Sequence, residues 1–188
     1  MANSRMNPFP GLRPFGEEED YLFFGREEQT TDLLELLRTQ RFLAVVGSSG
    51  SGKSSLVRAG MLPALYGGTM AGVGSDWETV VLRPGGDPLL NLAEAMVAAD
   101  LYDPEDPEAP LQIRATLSRS RQGLVQAVQF SEMSPASNLL IVVDQFEELF
   151  RFRGTSEEHE ERAIKARNSL NKEKVDPQQE EKGLKLPS

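Results

Sequence analysis

Apolar positions along the chain gather into short runs and one-sided stripes, separated by glycine, proline and acidic clusters. Leucines at 33, 34, 36 and 37, within Arg26–Gln40, lie on one face at helical spacing. Phe42-Leu-Ala-Val-Val46 is a continuous apolar run bounded by glycine, the pattern of a buried parallel strand. A second helical pattern runs from Ser54 to about Leu65, and Gly67-Gly68 with Ala71-Gly-Val-Gly74 predicts a flexible connection. Glu78-Thr-Val-Val-Leu-Arg83 reads as another strand. Asp87-Pro88 supplies a capping carboxylate and a proline at the first helical position, for a helix reaching about Ala99. Asp103-Pro-Glu-Asp-Pro-Glu-Ala-Pro110 predicts an acidic surface loop, one or two helices cover 111–130, and Leu139-Leu-Ile-Val-Val143 is the clearest buried strand.

Strands alternating with helices predict an α/β fold, a layered sandwich around a parallel sheet with right-handed crossovers. Three domains of unequal kind are expected. Residues 1–25 form an extended N-terminal arm, since the three prolines of Asn7–Phe15 exclude a helix and its phenylalanines can pin it to a surface. Residues 26–153 form the core. Residues 154–188 are a polar tail, solvated and helical over 157–171 and disordered beyond.

Composition narrows the chemistry. The absence of cysteine excludes a disulfide framework and a thiolate nucleophile, and the single histidine, His159, leaves little for a histidine-based zinc site. No apolar run approaches the roughly 20 residues of a membrane span, and the N-terminus has no secretory apolar core, so the expected location is cytoplasmic. The net charge is −9; residues 151–188 carry nine basic and eight acidic groups, which leaves 11 basic, 21 acidic and a net of −10 for residues 1–150. So acidic a body lacks the basic footprint that holds nucleic acid.

The chemistry concentrates in Gly47-Ser48-Ser49-Gly50-Ser51-Gly52-Lys53-Ser54, which fits the Walker A pattern G-x-x-x-x-G-K-[ST] between a strand and a helix. Small residues let backbone N–H groups close around phosphate oxygens, and the helix that follows, with Ser55 in its first turn, points its positive end at the same anion. Lys53 would reach the β- and γ-phosphates and Ser54 would ligate Mg²⁺. A magnesium site also needs a carboxylate at the end of a neighbouring strand, the Walker B element, and Asp144 is placed to supply it. Three residues on, Glu147 is placed as general base for the attacking water, with Glu148 as the neighbouring candidate.

Five ordered segments carry a resemblance. They are Pro10-Gly-Leu-Arg-Pro-Phe15, Phe23-Phe-Gly-Arg-Glu27, the Gly47–Ser54 loop running into Leu56-Val-Arg-Ala-Gly60, Leu82-Arg-Pro84, and Asp144-Gln-Phe-Glu-Glu-Leu-Phe150. Over residues 7–150 the chain resembles the novel STAND NTPases, signal-transduction ATPases related to the NACHT and AP-ATPase groups. The resemblance implies ATP with Mg²⁺, slow hydrolysis, a switch-like oligomerising role, and fused or partner effector and sensor domains. It also places Gly25 and Arg26 near the bound base and ribose, while Arg83 reads as structural. The same pattern calls for a further apolar strand after Asp144, and none follows Phe150, so the core reads as truncated after the Walker B strand. Two rival functions share the loop: a nucleotide-binding interaction module without turnover, and a small-molecule or nucleotide kinase, for which no acceptor lid is recognisable.

Overall fold

The computed structural model of the protein describes residues 11, 13–68 and 76–151. The chain divides into two units, Met1–Asp144 and Gln145–Ser188. In the first, a 3₁₀ turn (Glu17–Leu22) precedes α1 (Glu27–Thr39). A continuous helical stretch follows the glycine-serine loop: α2 (Lys53–Ser55), a π-helical segment (Leu56–Met61) and α3 (Leu62–Tyr66). Strand β1 (Trp77–Leu82) leads through α4 (Pro88–Ala98), α5 (Ala109–Arg119) and α6 (Gly123–Phe130) to β2 (Asn138–Val143).

The two strands pair in parallel, from Trp77 opposite Asn138 to Leu82 opposite Val143. The pleat sends alternate side chains to opposite faces, and each face has its own helical layer. Val80 and Leu82, with Leu139, Ile141 and Val143, pack against α4 and α5 through Ala93, Met96, Ile113 and Leu117. Trp77 and Val81, with Leu140 and Val142, pack against Leu34 of α1 and Met61, Leu62 and Leu65 of the helical stretch. Apolar residues on both faces explain why β2 reads as an unbroken run rather than an alternation. On α1, Leu33, Leu34 and Leu37 of the predicted stripe face the second core, while Leu36 stays half exposed.

The capping prediction at the start of α4 holds in detail. Asp87 Oδ1 accepts the Leu90 N–H at 3.1 Å, and Oδ2 accepts from Arg114 Nε and Nη2, both at 2.9 Å. Arg114 above all, and then the Leu90 N–H, hold the Asp87 carboxyl below its usual range. Asp87→Ala should lower stability by about 1 kcal/mol, as a lost helix cap does. Chemical denaturation measures this, and an unchanged midpoint would show that the cap contributes nothing.

One predicted element does not form as expected. Phe42–Val46 enters no ladder, and Phe42 and Val46 are 77% and 86% exposed. The physical reason is the missing neighbour. No described strand lies hydrogen-bonded beside this run, and an apolar pattern states a demand for burial without providing the layer that meets it. The two apolar runs, 42–46 and 139–143, are accordingly not paired with each other. The predicted glycine-rich connection at 71–74 and the tail from residue 154 lie outside the described residues.

Of the arm, the described part begins at Gly11. Arg13 Nη1 and Nη2 donate to the two Glu19 carboxylate oxygens at 2.6 Å each, and the Gly16 N–H adds a bond of 2.9 Å. The arginine first, then the backbone N–H, pull the Glu19 carboxyl down to about 2. The Phe15 and Phe23 rings stack at a tilt, 5.9 Å between centroids. The Phe15 N–H donates to Ser55 Oγ at 3.1 Å, tying the arm to the helix that follows the loop.

Candidate functional site

The loop between Val46 and Lys53 takes its shape from glycine. Gly50 and Gly52 sit at φ +76° and +82°, left-handed conformations that side chains with a Cβ resist. Gly52 caps the helical stretch, and the Leu56 N–H returns to its carbonyl at 2.8 Å. Within the loop the Ser51 N–H bonds the Ser48 carbonyl at 3.3 Å. The N–H groups of a helix's first turn have no partners inside the helix, so this end of the stretch offers donors to an anion. Lys53 Nζ is folded onto the loop, donating to the carbonyls of Gly47 and Ser48 at 3.0 and 2.8 Å.

A cavity of about 300 Å³ opens beside the loop, at the lower end of ligand-pocket sizes. Its walls include Arg26, Val45, Val46, Gly52, Lys53 and Leu56. Arg26, eight residues before Leu34 in the sequence stripe, is thus brought to the same space as the loop lysine. Gly25 precedes it at φ +79°, its N–H bonded to Glu27 Oε1 at 3.0 Å. Ser55 is placed differently: it is buried, and its hydroxyl accepts from Phe15 rather than facing the cavity.

On the other side of the helix start, residues 90 apart in sequence meet. Ser54 Oγ donates to Asp144 Oδ1 at 2.7 Å. The backbone sets this up, because the Asp144 N–H continues the ladder to Leu82 O at 2.8 Å and fixes the residue at the strand's end. Asp144 has two cationic neighbours as well: Arg58 Nη2 lies 3.1 Å and Arg83 Nε 3.7 Å from Oδ2. The carboxylate side chain is only 9% exposed. The sequence reading missed Arg58 and took Arg83 as structural. The available signal for Arg58 was its position four residues after Ser54, which puts both on one helix face.

Glu147 and Glu148 belong to the second unit. There the chain turns sharply, with Gln145 at φ +59° and N–H bonds from Glu148 to Gln145 O at 2.9 Å and from Phe150 to Glu147 O at 3.1 Å. Glu147 is exposed. Phe146 and Phe150 meet edge to face, 6.1 Å between centroids.

The residues present fit a magnesium nucleotide. A serine hydroxyl and a carboxylate are the hard oxygen donors that Mg²⁺ takes, and phosphates and waters ordinarily complete its shell. Among the described residues no cluster of three or more histidine, cysteine or acidic side chains offers a protein-only metal cage instead. The family model described as Novel STAND NTPase 1 matches residues 8–176. The chain belongs to the novel STAND NTPase family. It is therefore a nucleotide-binding NTPase module in the general sense of that family. The comparisons with curated proteins and with solved structures each gave no match. No helix of the described part of this STAND module is long and apolar enough to cross a membrane.

Proposed function

We propose that this chain binds Mg-ATP as the NTPase module of a STAND-type signalling switch, with slow hydrolysis coupled to oligomerisation. The observation that carries the reading is the Ser54–Asp144 hydrogen bond, which joins the loop hydroxyl and the strand-end carboxylate at one point. In this reading the sheet and its two helical layers are the described part of a P-loop sandwich, and Phe42–Val46 is the apolar run that leads into its phosphate loop. Magnesium would supply charge neutralisation at the β- and γ-phosphate oxygens. The chain's own groups do the rest. Loop N–H groups from Ser48 to Ser54 bind phosphate oxygens, with the first turn up to Ser55 adding its dipole. Lys53 leaves the Gly47 and Ser48 carbonyls for the phosphates, and Ser54 with Asp144 holds the metal. Arg26, with Gly25 allowing close approach, borders the base and ribose. Glu147, or Glu148 beside it, takes the proton of the attacking water.

Asp144→Asn tests the metal half of this reading. It keeps the shape and an acceptor for Ser54 but removes the charge, so the Mg²⁺ concentration needed for ATP binding should rise roughly 10- to 100-fold. Calorimetry with ATP at stepped MgCl₂ concentrations reads the shift. An unchanged Mg²⁺ requirement would remove Asp144 from the metal site.

A further inference from the structure

Asp144 has more cationic company than a metal-binding carboxylate needs. Its Oδ1 is taken by Ser54, its Oδ2 by Arg58 Nη2 at 3.1 Å, and Arg83 Nε stands 3.7 Å away, too far for a good hydrogen bond but close enough to act by charge. A guanidinium and a divalent cation compete for the same lone pairs and repel each other at such range. Either Arg58 moves when the metal is taken up, or the metal is held off.

Two observations indicate where Arg58 can go. Its Nε is buried with no hydrogen-bond partner among the described residues, so its present position leaves a donor unsatisfied that a second carboxylate would relieve. The N-terminal arm supplies such a carboxylate. Phe15 fixes the arm to Ser55, one helical turn before Arg58, and the 3₁₀ turn that begins at Glu17 follows directly. Glu17 is an exposed residue whose carboxyl is raised by partial burial, a rise that the nearby positive charge of Arg58 opposes. No described residue donates a hydrogen bond to that carboxylate, and Arg58 keeps 28% of its side chain exposed, leaving room to turn.

We propose that Arg58 is a positioning residue with two carboxylate partners: it caps Asp144 Oδ2 until a divalent cation is taken up, then turns to Glu17 of the N-terminal arm. This rests on the Mg-ATP reading above and adds a regulatory link to it. Metal uptake at Asp144 and docking of the arm become thermodynamically coupled, each favouring the other. An event that pulls on the arm would thereby raise the metal requirement of the nucleotide site without touching the loop.

The experiment is ATP binding by the 188-residue chain, followed by calorimetry over a series of MgCl₂ concentrations. Arg58→Gln removes the competitor and should lower the Mg²⁺ concentration for half-maximal binding by roughly tenfold, as for one close, partly exposed charge. Glu17→Gln removes the second partner and should raise that concentration by roughly threefold or more. Glu17→Gln should have no further effect in the Arg58→Gln background, because the two act through one contact. Arg58→Lys keeps the charge and should stay closer to wild type than Arg58→Gln. A merely structural arginine would not move the two single variants in opposite directions. Shifts in the same direction, or an additive double variant, overturn the proposal. Glu17 is on the surface, so an unchanged requirement in Glu17→Gln overturns it even where Arg58→Gln does not fold. Wild-type binding with no Mg²⁺ dependence would overturn both this proposal and the metal site itself, whereas normal wild-type dependence with unshifted variants overturns the arginine's role alone.

Discussion

Lys53→Ala should reduce ATP binding roughly 10²- to 10⁴-fold, below detection in ordinary calorimetry, while the chain should still melt cooperatively. The size follows from counting contacts. A lysine between two phosphates makes two charge-assisted hydrogen bonds, each about 1.5–3 kcal/mol, and each 1.4 kcal/mol is about a tenfold change in affinity. The structure also says why the fold survives. Among the described residues Nζ bonds only the Gly47 and Ser48 carbonyls, which lie in an exposed loop where water can replace it. Lys53 belongs to neither of the two buried cores, so its truncation opens no cavity in them. Calorimetry with Mg-ATP, paired with a thermal melt of the same preparation, separates lost binding from lost structure. Equal affinities in wild type and variant would sink the loop assignment, whatever the family membership.

The elements legible in the sequence were those whose pattern records their own surroundings. Residues 139–143 are apolar on both faces because helices cover both, and the run announces that directly. Asp87-Pro88 marks a helix start because cap and proline act within one turn. The Gly47–Ser54 loop and Asp144 were likewise legible, and their meeting through Ser54 is a contact that strand order alone could promise but not measure. Phe42–Val46 shows the limit. Its composition matches that of β2, yet a strand is completed by hydrogen bonds to a neighbour, and no property of five residues specifies where that neighbour is. The π-helical segment at Leu56–Met61 was unreadable for a related reason. It differs from an α-helix by a one-residue shift in bonding, which side-chain periodicity over six residues does not resolve. Arg58 was hidden because an arginine in a helix is ordinary; only the arrival of Asp144 from the end of β2 gives it a partner.

Glu147→Gln should leave Mg-ATP binding unchanged and lower hydrolysis by roughly 10²- to 10⁴-fold, the range for a lost general base. Glutamine keeps the size of the side chain and a carbonyl that can still orient water, so the loss isolates proton acceptance. Local structure supports a clean reading of the variant. Glu147 is exposed, and the turn around it is held by backbone bonds and by the Phe146–Phe150 contact, none of which uses the carboxylate. Glu148→Gln is the necessary companion, because the two residues are adjacent and sequence assigns them the same chemistry. Steady-state phosphate release from wild type and both variants, at saturating Mg-ATP, gives three separable results. A loss in Glu147→Gln alone makes Glu147 the base, and a loss in Glu148→Gln alone moves the role by one residue. Wild type that binds Mg-ATP and releases no phosphate would make the 188-residue chain a nucleotide-binding module without turnover. The bound nucleotide would then act through the positions it imposes on Lys53, Asp144 and the arm, and the catalytic assignment of both glutamates would fall.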